Sequence, residues 1–297
     1  DLRVTASLGI SLYPEDGQDA LSLIKKAEMA MRNSKEQAPG GYGFFTEDMT
    51  HRARERQHLE SGIRQALERQ ELSLHYQPKI HLASGQVVGA EALIRWFSPQ
   101  QGWISPAQFI PVAEDSGLIN RISQWVVGEA TRQSRAWQQA GLAPIRLSVN
   151  LSASDFRQPQ LLQQLQRALL DSALDPTLLE LEITEGVLMQ NVEATLATLQ
   201  AIKALGVRLA VDDFGTGYSS LSYLRKFPVD VLKIDQSFIH GLSHEPKDAA
   251  LVSAIIQLGR SLNLSIIAEG VETQEQLAFL KQQGCEEGQG CYFSKAL

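Results

Sequence analysis

Successive apolar runs of this sequence end, or nearly end, in a side chain that carries oxygen or charge. Glu91 lies late in VVGAEALIR, Asn150 closes IRLSVN, and Glu182 comes near the end of LLELEIT. Asp212 and Asp213 close VRLAVDD, Lys233 and Asp235 fall in VDVLKID, and Glu269 follows LSIIAEG's last apolar residue. Carboxylates gathered at one place repel, and most would protonate unless a cation compensated them. A pair of divalent ions would do so. The donors are carboxylates and an amide with no Cys or His among them, a hard oxygen set that suits magnesium or manganese better than zinc. Because Asp212 and Asp213 are adjacent, one can bridge two ions while the other serves the second. Lys233, flanked by Leu232 and Ile234, has no ordinary solvated place on a central strand. Its ammonium must meet carboxylates, substrate or reacting water, or else form a structural ion pair. Gly215 and Gly217 follow the acidic pair at once and allow a tight loop to fold over the site.

These residues converge only if the chain brings the ends of its runs together. Strand-like segments fall at 72–78, 87–95, 145–150, 178–184, 207–213, 229–235 and 264–270, with a weaker last one at 290–294. Amphipathic stretches at 118–140, 160–170, 192–205 and 249–262 separate them with helical periodicity. Alternation of this kind predicts an α/β fold with a mostly parallel sheet, and the count suits an eight-stranded barrel. In such a barrel all the parallel strand ends lie on one face, which is where residues distant in sequence meet.

The first part of the chain has another pattern. Residues 4–12 alternate as a strand, 18–34 read as a helix, and Pro39-Gly40-Gly41 breaks the run. A polar helix from about Glu47 to Gln70 follows, with Leu59, Ile63 and Leu67 as a thin apolar stripe, and reads as a connector. The expected organisation is a small α+β fragment at 1–47, a linker helix at 48–70 and a barrel at 71–297.

Composition narrows the function. A hydrophobic share of 43% permits a large core, and no apolar run is long enough to cross a bilayer. A formal net charge of -7 argues against DNA or RNA polymers as partners, since those need a basic face. Cys285 and Cys291 are too few for a disulfide framework, and a reducing, cytoplasmic setting is expected, with tethering of a longer protein to the inner membrane left open.

With these segments in place, residues 72–297 resemble the EAL-domain phosphodiesterases that open the second messenger cyclic di-GMP. The naming triplet stands as Glu91-Ala92-Leu93 and continues Ile94-Arg95-Trp96. Further matching segments are Tyr76-Gln77-Pro78-Lys79, Phe109-Ile110-Pro111-Val112-Ala113-Glu114, Ser148-Val149-Asn150-Leu151-Ser152 and Glu182-Ile183-Thr184-Glu185. DDFGTGYSSL from Asp212, Lys233-Ile234-Asp235 and Ala268-Glu269-Gly270-Val271-Glu272 complete the set. The resemblance implies a modified (βα)8 TIM-type barrel with one antiparallel strand, and two magnesium or manganese ions. Glu91, Asn150, Glu182 and Asp212 would hold one ion, and Asp212, Asp213 and Glu269 the other. Lys233 would contact the attacking water, with Glu269 and Glu91 completing the catalytic set. Gln77, Leu93, Arg95 and Asp235 would contact the dinucleotide. Glu185 and Glu272 would brace the glycine loop, and Gln289 would order the site.

Residues 1–47 resemble the C-terminal part of a GGDEF domain through Val4-Thr5-Ala6-Ser7-Leu8-Gly9-Ile10 and Lys26-Ala27-Glu28-Met29-Ala30-Met31, without the naming signature. Upstream cyclase and sensor domains are therefore expected in a longer protein, and homodimers through the loop after Asp213. The expected activity is hydrolysis of cyclic di-GMP to linear pGpG. The alternatives are a receptor that binds the dinucleotide without cutting it, and a barrel enzyme for another phosphodiester or a carboxylic acid. Cys291, after Gln289-Gly290, departs from the family's usual larger residue and is expected to sit in the core as a small hydrophobe.

Overall fold

The computed structural model describes residues 5–38, 40–189, 191–217, 224–242 and 245–297. The chain divides into two compact units, Asp1–Glu68 and Arg69–Leu297.

In the first unit, β1 (Leu8–Ile10) pairs in parallel with β2 (Tyr42–Phe44), and α1 (Ala20–Gln37) packs on them. Strand β1 is shorter than the run at 4–12, of which Val4 lies outside the described residues, and β2 was not anticipated from the pattern. Gly9 has a steric reason: a Cβ there would stand 1.9 Å from the Ala27 carbonyl oxygen, so only glycine lets α1 approach this closely. Asp19 caps α1 by accepting from the Ser22 amide at 2.9 Å. Helix α2 (Glu47–Arg69) follows, with Ile63 and Ala66 as its buried positions, so the expected stripe is centred on Ile63.

In the second unit, β3 (Leu72–His81), β4 (Val87–Ser98), β6 (Arg146–Leu151), β7 (Leu179–Thr184), β8 (Arg208–Phe214), β9 (Val231–Ile234), β10 (Ser265–Ala268) and β11 (Glu287–Gly288) form a closed barrel. Strand β3 is antiparallel to both its neighbours, and every other barrel pairing is parallel. A short β5 (Gly102–Ile104) extends β4 as a hairpin outside the barrel.

Two expectations need correction. The last strand is at Glu287–Gly288 and not at 290–294, which forms a turn, because Glu287 and Gly288 are the residues in register with Ile267 and Ala268 on one side and His81 and Ile80 on the other. Cys291 is accordingly exposed, while Cys285 is buried and its thiol is pushed up to about 12 by burial.

Strand alternation divides the side chains. Leu147, Val149, Leu179, Leu181, Ile183, Leu209, Val211, Leu232, Ile234 and Ile266 are almost wholly buried and face the helical layer. The alternate set points inward, where Ala210, Val231 and Ile267 form a small apolar cluster. The rest of the interior is polar and charged, unlike the branched aliphatic filling common in such barrels.

Candidate metal centre and substrate rim

Lys233 projects inward from β9 and is 1% exposed. Its Nζ lies 2.6 Å from Glu269 Oε1, 3.0 Å from Asp212 Oδ1 and 3.8 Å from Glu91 Oε2, and it donates to Glu182 Oε2. Strands β4, β7 and β8 and the residue that follows β10 thus deliver carboxylates to one ammonium. The expectation that these runs converge is met in the geometry, although Glu91 stands in mid-strand, since β4 continues to Ser98.

Asp213 joins them through its backbone. Consecutive strand residues point to opposite faces. Asp213 escapes this by adopting φ 53°, the left-handed region that Asp tolerates better than most residues, at a break in the β8–β9 register between Val211 and Phe214. Its amide donates to Asp212 Oδ1 at 3.0 Å, and carboxylate oxygens of Asp212, Asp213 and Glu269 all fall within 4.8 Å of one another.

The charges show what the site lacks. Burial, then the neighbouring charges of Asp212 and Asp235, push Asp213 up to about 6. Burial likewise pushes Glu269 up to about 8, with Asp212, Glu91 and Glu182 acting against the pull of Lys233. Burial also opposes ionisation of Glu91, but Lys233 and Lys79 more than offset it and hold that carboxyl below its usual value. Lys233 is driven well above the usual lysine range because its four carboxylates outweigh its burial. Lys233, even with Lys79 also bonding Glu182, does not neutralise Glu91, Glu182, Asp212, Asp213 and Glu269. A cation held by oxygen donors fits this deficit and this donor set.

Asn150 is exposed and donates from Nδ2 to Glu91 Oε1 at 2.7 Å. Gln289 is buried and donates to Glu91 Oε2 at 2.7 Å and to Gln77 Oε1 at 2.9 Å, which fixes Glu91 from the opposite side. Gln77 in turn donates to the Ser294 carbonyl at 3.1 Å. In the β3–β4 register Gln77 pairs with Glu91, His75 with Leu93 and Ser73 with Arg95. Glu91, Leu93 and Arg95 therefore share one face of β4 and rise in line from the mouth. Arg95 donates from Nη1 to the Ile94 carbonyl at 2.9 Å.

Glu185 begins the helical turn Glu185–Leu188 directly after β7. Its Oε2 accepts from the Gly215 amide at 3.2 Å, and a Cβ on Gly217 would meet its Oε1 at 3.2 Å, so it supports the glycine loop from below. Gly215 has φ 99°, a conformation that requires glycine. Glu272 lies elsewhere among the described residues: its carboxylate faces His240 Nε2 at 3.7 Å. The loop from Tyr218 to Tyr223, and with it the expected dimer contact, lies outside the described residues. Asp235 caps the helix Gln236–Gly241 by accepting from the Ser237 amide at 3.0 Å, and its negative charge helps to raise Asp213.

Residue types alone did not single out Lys79, Ser148 and Glu180. Lys79 Nζ donates to Glu182 Oε1 at 2.7 Å, to Glu180 Oε1 at 2.9 Å and to Ser148 Oγ, deep in the barrel. A signal was present for two of them. Glu180 and Ser148 stand two residues before Glu182 and Asn150, and period two places each pair on the same face. Lys79 was hidden because the run was expected to stop at Pro78.

The fold and site define a class: a mostly parallel barrel with a cluster of acidic side chains at its mouth. A family profile described as "EAL domain" matches residues 60–296, and this chain belongs to that family. Phosphodiesterases of the family depend on metal, in keeping with the acidic cluster. The chain is 49% identical over 290 residues to the Pseudomonas aeruginosa "Bifunctional diguanylate cyclase/cyclic di-GMP phosphodiesterase MucR", covering 98% of this chain and 42% of that protein. It is 39% identical over 297 residues to the Escherichia coli "Cyclic di-GMP phosphodiesterase PdeR", covering 100% of this chain and 45% of that one. The chain thus spans less than half the length of these curated relatives. The solved structure "PaMucR Phosphodiesterase, c-di-GMP complex" superposes with a TM-score of 0.79 at 49% identity, covering 81% of this chain and 97% of that one. Among the described residues no helix is long and apolar enough to cross a membrane.

Proposed function

We propose that this chain hydrolyses one phosphodiester bond of cyclic di-GMP, giving linear pGpG. The observation that carries the reading is the meeting of Asp212, Asp213 and Glu269 within 4.8 Å beside a buried Lys233 that already contacts Glu91 and Glu182. The names of the relatives and of the superposed complex support the substrate.

Two magnesium or manganese ions would be held by Glu91, Asn150, Glu182 and Asp212, and by Asp212, Asp213 and Glu269. When bound they lower the pKa of water and offset charge on the phosphoryl oxygens. Lys233 Nζ, 2.6 Å from Glu269 Oε1, is placed to hold the attacking water by hydrogen bond, and Glu269 to take its proton. The new bond joins that water's oxygen to phosphorus in line with the departing ribose 3′ oxygen, which gains a proton from solvent. Arg95 binds phosphate as a fork, Leu93 and Gln77 orient the dinucleotide, and Asp235 reaches the substrate edge. Glu185 holds the loop at Gly215, Gln289 holds Glu91, and Glu272 is read, from the family resemblance alone, as a second brace of the glycine loop.

Residues 1–47 are read as the last part of a GGDEF-like domain and 48–70 as a linker, supported by the alignment of a bifunctional cyclase and phosphodiesterase over 98% of this chain. Upstream cyclase and sensor domains, a cytoplasmic site of action and dimers through the barrel follow from the same reading.

The test is turnover of cyclic di-GMP with magnesium, manganese or calcium, resolving pGpG by chromatography. Product is expected with the first two and not with calcium, whose larger and looser coordination suits the site poorly. A folded protein that binds the dinucleotide and leaves it intact with every metal would establish the receptor reading instead.

A further inference from the structure

Glu182 is gripped by two lysines from different strands. Lys233 takes Oε2 from the side of the mouth, and Lys79, from β3, takes Oε1 at 2.7 Å from deeper in the barrel. The three donors of Lys79 are matched by three acceptors: Glu182, Glu180 Oε1 at 2.9 Å and Ser148 Oγ. Glu180 is itself tied to Ser148 Oγ at 2.8 Å and to Arg208 Nε at 3.4 Å. The side chains of Lys79, Glu180 and Glu182 are no more than 2% exposed, so bulk solvent does not reach these bonds.

The terminal torsion of a glutamate is broad and roughly two-fold, so a carboxylate tethered by one bond still turns. With Oε1 pinned from beneath, that rotation is lost and Oε2 alone faces the mouth. We infer that Lys79, seated on Glu180 and Ser148, is a positioning residue for the cation site: it fixes the Glu182 carboxylate in the orientation that receives the ion. Lys79 touches neither substrate nor reacting atoms. The inference rests on the two-ion reading proposed above.

The test is calorimetric binding of manganese to the parent and to the double variant Lys79→Met/Glu180→Gln. This pair of changes removes one positive and one negative charge, so the net charge beneath the site is unchanged and lost affinity reports on orientation. Partners that orient metal ligands are worth tenfold or more, so binding about tenfold weaker is expected, with a melting temperature close to the parent's. Because Lys79 acts through Glu182, kcat at saturating manganese should return to within about threefold of the parent. Manganese affinity within about twofold of the parent overturns the inference. So does a kcat that stays depressed at saturating metal. If the double variant does not fold, Ser148→Ala serves in its place, since it keeps both charges and removes one acceptor. Binding weaker by about threefold supports the role there, and unchanged binding overturns it. A folded parent that binds no manganese defeats the metal reading itself, an outcome separate from equal binding by parent and variant.

Discussion

The barrel holds two clusters of buried charge that share Glu182 and behave in opposite ways. Beneath, Lys79, Glu180 and Ser148 are matched donor for acceptor, and Glu180 falls to about 2 because Lys79's charge and hydrogen bonds, with that of Ser148, outweigh its burial. Above, Lys233 is outnumbered by acids, and Glu269 rises to about 8 and Asp213 to about 6. Burial is similar in kind, and what differs is the balance. A balanced buried cluster attracts no further charge, whereas an unbalanced one is suited to receive positive charge.

The largest test of this difference removes the single ammonium from the upper cluster. Lys233→Met should destabilise the metal-free protein by about 3–5 kcal/mol, because it leaves buried carboxylates uncompensated. Denaturant titrations should show manganese restoring part of that loss, and equal losses with and without metal would mean the cluster is not a cation receptor. Glu91→Ala removes an acid from the crowded side. It should lower cyclic di-GMP turnover at least about 100-fold while leaving the melting temperature near that of the parent. Full activity in that variant would remove Glu91 from the ligand set.

Acid and base should act on the two clusters with opposite sign. Between the unfolded values near 4 and the folded values of about 6 and 8, Asp213 and Glu269 hold protons that the unfolded chain has lost. Metal-free stability should therefore fall as pH rises from about 5 to 8, and added manganese should flatten the slope. Glu180 contributes stability that is present above 4.5 and is lost as pH falls through about 2. Unfolding free energies measured across pH, with and without manganese, separate these trends; a rise from 5 to 8 in the metal-free protein would contradict the upper assignment. The smallest effect is at the edge of the lower cluster. Arg208, 3.4 Å from Glu180 Oε2 and partly exposed, should cost about 1 kcal/mol or less on conversion to alanine, with turnover unchanged.

Much of this arrangement could be read along the chain. Val, Leu and Ile runs alternating with amphipathic stretches specify a barrel because each strand must cover an apolar outer face with a helix. Acids placed at the ends of such runs specify a crowded mouth, since parallel strands end together. The EAL segments are local patterns, and local patterns survive in one dimension.

What the sequence could not supply are relations between strands. Closure by Glu287 and Gly288 involves too few residues to leave a period, and it is set by the gap between β10 and β3. The turn of Asp213 into the site depends on a left-handed backbone at a break in the register with β9, which no side-chain pattern records. The division of charge into a matched cluster and a deficient one arises only when β3, β6, β7 and β9 are side by side. Residue types determine which charges the barrel contains; the register of the closed sheet determines which of them neutralise one another and which are left uncompensated.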